Sequence, residues 1–185
     1  MKNALRCHFH RYYYPQKDHA KPYNIVMKRN QKIAFLSLGI ALYVVLSAFV
    51  IIPIVNRIKL DLGYIVFAMY LNTFGMAATI VGVAGCILAE LLKGGSFRLA
   101  WPIGQAFIGI TLGYLLLKTE KLWLKILYSV VSVFVGIAVI KTLIEVAMYQ
   151  FPLELKFASN FAAFVIDAIA FVIGIVLNKK IKIVR

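Results

Sequence analysis

Acidic residues are scarce in this chain: seven Asp and Glu stand against 21 Lys and Arg. Within the long apolar runs no two carboxylates fall at a spacing suited to acid–base work or metal binding. Histidine is confined to His8, His10 and His19, all ahead of the first apolar run, so the runs also lack an imidazole base. The two cysteines, Cys7 in a polar tract and Cys86 in an apolar one, form neither a disulfide framework nor a zinc pattern. The Cys7-His8-Phe9-His10 cluster has no partner pair at ligand spacing, so no metal and no other cofactor is expected. A Gly-rich phosphate loop ending in Lys-Ser/Thr is missing, which excludes ATP hydrolysis by this chain. The first residues lack the apolar core of a signal peptide, so no cleavage step is expected.

Charge is also missing over long distances; from Leu62 to Ala89 there is none. What fills the chain instead is apolar: 62% of residues are hydrophobic, 15% are charged and the mean hydropathy is +0.85. A soluble domain is far more polar, so this is an integral membrane protein. With roughly 20 apolar residues needed per crossing, the length allows about six crossings and no separate soluble domain. The net charge of +14 does not indicate nucleic-acid binding, because the basic residues cluster at the ends of apolar runs.

The order along the chain predicts an all-α six-helix bundle. Residues 1–32 form a polar basic extension, with Met27-Lys28-Arg29 resembling a natural start. The membrane domain covers 33–178, with spans at 33–52, 61–74, 76–92, 101–117, 126–149 and 158–177, and 179–185 is a basic tail. Pro53 is expected to end the first span, followed by a short loop over 54–60. The Asn72-Thr73-Phe74-Gly75 turn signal divides the second span from the third. Pro102 suits the first turn of the fourth helix, Lys118 to Lys125 reads as a basic connection, and 153–157 as another short loop. Lys and Arg are concentrated at the ends and in the 118–125 connection, which places both termini in the cytoplasm.

Small residues form stripes that let helix backbones approach. Ala78, Gly82, Gly85 and Ala89 make one, Gly109 and Gly113 a second, and Asn160, Ala163, Asp167, Ala170 and Gly174 a third with polar inserts. An intramembrane charge costs a few kcal/mol or more, and is normally paired or functional. Lys141, Glu145 and Tyr149 share one face of the fifth helix, at successive turns. Lys141 and Asp167 lie at matching depth, which suggests an ion pair, although either is also a candidate for direct substrate contact. The candidate substrate-binding residues fall on the fourth, fifth and sixth helices and in the loop ahead of the fourth. Phe97, Trp101 and Tyr149 would provide ring faces, and Gln105, Lys141, Glu145, Asn160 and Asp167 the polar groups. Lys93 to Arg98, with its paired glycines, would serve as a lid.

Several features in order resemble the S components of energy-coupling factor (ECF) transporters, the substrate-capture subunits of prokaryotic micronutrient importers. These are Ile52-Pro53 after the first span, Ile58 to Ile65 leading into the second, Phe74-Gly75 at the hairpin, and Gly82-x-x-Gly85 followed by Glu90. The resemblance covers about Lys28 to Lys182. It implies a vitamin-like substrate taken from outside, a multi-pass protein of the prokaryotic cytoplasmic membrane, and partners: a transmembrane coupling subunit and two cytoplasmic ATPases. The family's Ala-x-x-x-Ala docking face on the first helix corresponds here to Ser37-x-x-x-Ala41. An intramembrane enzyme and a non-transporting membrane scaffold are the competing readings.

Overall fold

The computed structural model describes residues 29–55, 58–94 and 98–181. The N-terminal extension, Cys7 and its neighbours, and Phe97 lie outside these. Helix α1 (Arg29–Phe49) leads into a two-stranded antiparallel hairpin, β1 (Ile51–Val55) and β2 (Ile58–Asp61), in which Ile51 pairs with Asp61 and Ile52 with Leu60. Helix α2 (Gly63–Phe74) follows, then a 3-10 turn (Gly75–Ala78), α3 (Thr79–Leu92) and α4 (Ala100–Lys118). Helix α5 (Leu122–Val133) passes through a π-helical segment (Phe134–Lys141) into α6 (Thr142–Tyr149), and α7 (Leu153–Ile181) completes the described chain.

Among the described residues, five helical stretches are long and apolar enough to cross a membrane, the second being Gly63–Leu92. That stretch is not straight. Positions 63 and 85 both abut the ring of Tyr43, and position 82 abuts the ring of Phe67. A continuous helix would hold residues 63 and 85 roughly 33 Å apart at 1.5 Å per residue, so α3 must double back beside α2. Gly75 makes the reversal: its φ of +60° and ψ of −142° suit a residue without a Cβ. The turn also sits so close to α4 that a Cβ on Gly113 would lie 2.7 Å from the Gly75 carbonyl carbon.

The structure departs from the sequence reading at three connections. The first helix stops at Phe49, and residues expected as helix end and loop form the β-hairpin. The run Ile51-Ile52-Pro53-Ile54-Val55 is rich in β-branched residues, which favour an extended backbone, and Pro53 is tolerated in a two-stranded ribbon, where every strand is an edge. The fifth span starts at Leu122, inside the expected basic connection. Residues 153–157 form the opening turns of α7, directly after Pro152, and this helix runs on through Lys179 and Lys180.

Lipid offers no hydrophobic force between helices, so the bundle is held by close packing. Tyr43, Tyr64, Phe67 and Phe171 form its centre, with Phe67 and Phe171 centroids 5.6 Å apart at 67°. The small-residue stripes face this interior: Ala78, Ala89 and Ala170 are buried, Gly109 meets Thr79, and Gly174 meets the backbone of Ile65. Leu38, Val45, Ile110, Leu143, Ile169 and Ile173 point outward, as lipid-facing residues should. Arg29 and Ile181 lie at the same end of the bundle. Phe35 in α1 packs on Phe74, and Thr73 beside it reaches Asn178 at 3.3 Å.

Candidate functional site

At the opposite end of the bundle, under the β-hairpin, a cavity of about 260 Å³ opens between α1, β2, α2, α3, α4 and α7. Tyr43 and Ser47 enter from α1, Asp61 from β2, Tyr64 from α2, and Cys86, Ala89 and Glu90 from α3, with Lys93 just beyond its end. Trp101 comes from the first turn of α4, Lys141 from the end of the π segment, and Ser159, Asn160, Ala163 and Asp167 from one face of α7.

The polar lining is largely organised by internal contacts. Ser47 Oγ donates to Asp61 Oδ1, and the Gly63 N–H donates to the same oxygen at 2.8 Å, tying β2 to the start of α2. Burial pushes the Asp61 carboxyl above its ordinary value, while these donors and the nearby Lys93 pull it back. Lys93 meets Glu90 at 3.3 Å. Lys141 Nζ donates to Asn160 Oδ1, lies 3.5 Å from Glu145 Oε1, and sits 3.9 Å from the centroid of the Trp101 ring. Asn160 Nδ2 donates to Thr142 Oγ1 and to Glu145 Oε2, both at 2.9 Å, and Lys156 approaches the same Glu145 oxygen at 3.8 Å. A buried lysine is thus held by a carboxylate, an amide and an indole face at once, which is how an ammonium is accommodated away from water.

The π-helical segment matters for this geometry. An inserted π turn shifts helical register, and such turns recur at functional sites. Here it ends at Lys141, with Gly136 packed against Ile108 so that the segment and α4 come close. Lys141 and Glu145 remain one turn apart, so the ammonium and the carboxylate are presented together.

Of the residues singled out from the sequence, Trp101, Lys141, Asn160 and Asp167 line the cavity. Glu145 is 1% exposed and lies behind that lining, holding Lys141 and Asn160. Gln105 is likewise buried, and its Nε2 donates to Tyr64 Oη at 2.5 Å, so it backs the wall rather than forming it. Tyr149 is 36% exposed and packs on Phe151, away from the lining. The expected Lys141–Asp167 ion pair is replaced by Lys141–Glu145. Both groups are on one helix, one turn apart, which brings them within 3.5 Å without any demand on interhelical geometry. Ser37 and Ala41 are exposed on the outward face of α1.

Sequence reasoning missed the wall built by α1, β2, α2 and α3. The aromatic positions Tyr43 and Tyr64 read as core in any apolar helix, and they are core on one side. Ser47 carried a signal of its own, being a hydroxyl in the last turns of a span ahead of an isolated Asp61, with which it bonds.

Comparison with known proteins bears on what such a cavity serves. A solved structure, the S-component for biotin from an ECF-type ABC transporter, superposes with a TM-score of 0.63 over 86% of this chain and 96% of its own, at 20% identity. That likeness is one of fold. The family model for the S component of the ECF-type riboflavin transporter matches residues 27–182, nearly all of the apolar bundle and its flanks, and the chain belongs to that family.

Proposed function

We propose that this chain is the substrate-capture subunit of an ATP-driven ECF-type importer and that its substrate is a vitamin, riboflavin being the first to test. The observation that carries the reading is the cavity of about 260 Å³ at one end of the bundle, lined by an indole, two tyrosines and convergent hydrogen-bonding groups. Small-molecule sites combine an apolar, aromatic wall with a few placed polar groups in this manner. The tricyclic ring of a flavin would find apolar faces at Trp101, Tyr43 and Tyr64, and its polar edge would find Asn160 and Ser159. The family's name supplies riboflavin as a candidate, and membership in a family of transporter S components favours capture over the intramembrane-enzyme reading.

In this reading α2 and α3 count as separate crossings, six in all, and both termini face the cytoplasm of a prokaryotic cell. Lys118, Lys121, Lys125, Lys179 and Lys180 belong to the end of the bundle away from the cavity, in keeping with the preference of cationic loops for the inside. The cavity then opens outward, where substrate is captured. Transport would require a transmembrane coupling subunit and two ATPases, with the exposed Ser37 and Ala41 face of α1 available for docking.

The test is direct titration of purified chain in detergent with riboflavin, whose fluorescence is quenched when the ring stacks on Trp or Tyr, together with mass spectrometry of co-purified ligand. Saturable quenching at one flavin per chain supports the reading. Binding of a different vitamin would reassign the substrate; absence of any bound or bindable vitamin would remove the capture role. For orientation, a cysteine at Glu154 should react with an impermeant reagent on intact cells, and one at Glu120 only after permeabilisation. The reverse pattern would invert the topology.

A further inference from the structure

The buried hydrogen-bond donors of the cavity wall are almost all committed within the protein. Lys93 is engaged by Glu90, and Lys141 by Glu145, Asn160 and the Trp101 face. Both amide hydrogens of Asn160 are given away, one to Thr142 and one to Glu145, so its Oδ1 is the atom left to meet a ligand. Tyr43 is bonded to Ser47, whose own proton goes to Asp61, so the Tyr43 proton is taken up by the Ser47 oxygen. Tyr64 differs. Gln105 Nε2 donates to its Oη from behind the wall, so the phenol oxygen is the acceptor there and its proton is directed elsewhere. Among the described residues no acceptor meets that proton. The phenol stands within electrostatic reach of Tyr43, Asp61, Cys86 and Asp167, all of which line the cavity, so its oxygen looks into that space. Tyr64 is 3% exposed, and a buried O–H without an acceptor carries a cost that a ligand acceptor removes.

We propose that Tyr64 is a specificity-determining residue of this site: held by Gln105, its hydroxyl donates a hydrogen bond to a carbonyl oxygen on the ring of the ligand. The inference rests on the capture reading above and narrows its substrate class to rings that carry such an acceptor. Gln105 is then a positioning residue. Its N–H fixes the rotation of the hydroxyl and, by donating into the oxygen, strengthens the bond that the same hydroxyl gives. A ligand of the same shape with a poorer acceptor in place of that oxygen would enter the cavity and leave the O–H unmet, which is how a hydrogen-bonding site discriminates.

The test is a cycle that changes the donor in the protein and the acceptor in the ligand, read in detergent by competition with riboflavin fluorescence. The ligands are riboflavin and the two thioriboflavins in which one or the other ring carbonyl oxygen is replaced by sulfur, a poor acceptor. Tyr64→Phe should lose about three- to ten-fold in riboflavin affinity. The parent should bind one of the thio compounds more weakly than riboflavin by a similar factor, and in Tyr64→Phe that gap should close to within about two-fold. Gln105→Leu should narrow the gap in the parent background and cost nothing further in Tyr64→Phe. Equal riboflavin affinity of parent and Tyr64→Phe overturns the proposal, as does a gap that persists in Tyr64→Phe, and flavin binding in either case leaves the capture role standing. A parent without a gap also overturns it, and is the result that the reverse bond, Tyr64 donating to the unmet Gln105 Oε1, would give. Should Tyr64→Phe fail to fold, the parent gap and its narrowing in Gln105→Leu decide in the same sense. Should the parent bind no flavin, the riboflavin reading fails by itself, and the proposal is read from the vitamin that co-purifies. A ring carbonyl on that vitamin together with weaker binding by Tyr64→Phe supports it; a ligand without one, equal affinity, or no ligand at all overturns it.

Discussion

The two ends of the bundle use the same residue types to opposite effect. At the cavity end, Lys141 and Asn160 bond to each other and to Glu145, yet both still present surface to an open space. At the far end, Lys125 Nζ donates to Asn72 Oδ1 at 2.6 Å, and Thr73 reaches Asn178, joining the α2–α3 turn to α5 and α7. There the Lys–Asn pair works as a clasp on a turn that is already packed backbone to backbone against Gly113. The difference lies in the helices rather than in the polar groups. Glycines bring α3 and α4 together at one end, whereas bulky Trp101 and the two tyrosines line the space at the other.

This contrast breaks most severely if the anchor of the cavity end is removed. Glu145→Leu takes away the carboxylate facing Lys141, Asn160 and Lys156 and leaves a buried ammonium under-compensated, which should cost about 3–5 kcal/mol. Thermal unfolding in detergent should show a large drop, partly rescued by Lys141→Met in the same chain. A lone Glu145→Leu protein as stable as the parent would refute the anchoring role. At the far end, Gly75→Ala forces a Cβ into a left-handed turn against Leu117 and should cost about 1–3 kcal/mol or more, with little change in ligand affinity where folded protein is obtained.

Ligand affinity sharpens the comparison. Asn160→Leu removes a group that lines the cavity and should weaken riboflavin binding by about ten- to a hundred-fold. Gln105→Leu acts only through Tyr64, so its effect on binding should be smaller, of the order of a few-fold. Equal losses for the two variants would mean that Gln105 contacts the ligand after all. Lys125→Met, which opens the far clasp, should leave affinity unchanged within error and lower stability by about 1 kcal/mol.

Much of this architecture was legible in the order of residues, and the reasons are physical. Apolar runs of membrane length, the Asn72-to-Gly75 turn signal and the glycine stripes each follow from strong constraints: lipid tolerates few charges, and only small residues allow backbones to touch. The cavity was half legible. Trp101, Lys141, Asn160 and Asp167 declared themselves as polar or interfacial groups in apolar surroundings. Tyr43, Tyr64, Cys86 and Ala89 did not, because a residue can face the core and a cavity together, and periodicity does not separate the two. The β-hairpin was hidden for another reason: in Ile51 to Val55 the same β-branched residues serve a membrane helix and a strand, so context decides.

The smallest expected effect concerns Asp61, which stands near Asp167 in kind but differs in its partners. Its carboxyl is raised above the ordinary 3.8 by burial, against the pull of Ser47, the Gly63 N–H and Lys93, with Glu90 adding to the rise. As pH increases, the unfolded chain therefore ionises this group first, and the folded chain follows only at higher pH. The folded state binds more protons across that interval, so the contribution of Asp61 to stability falls through it and is most favourable below 3.8. Asp61→Asn keeps an oxygen to accept from Ser47 and from the Gly63 N–H while removing the buried ion. It should leave Tm at neutral pH equal to or slightly above that of the parent and flatten the dependence of Tm on pH on the acid side. A marked fall in Tm at neutral pH would show that the ionised form is what the hairpin requires, and that the burial of Asp61 is offset by its donors and Lys93 more fully than its raised titration implies.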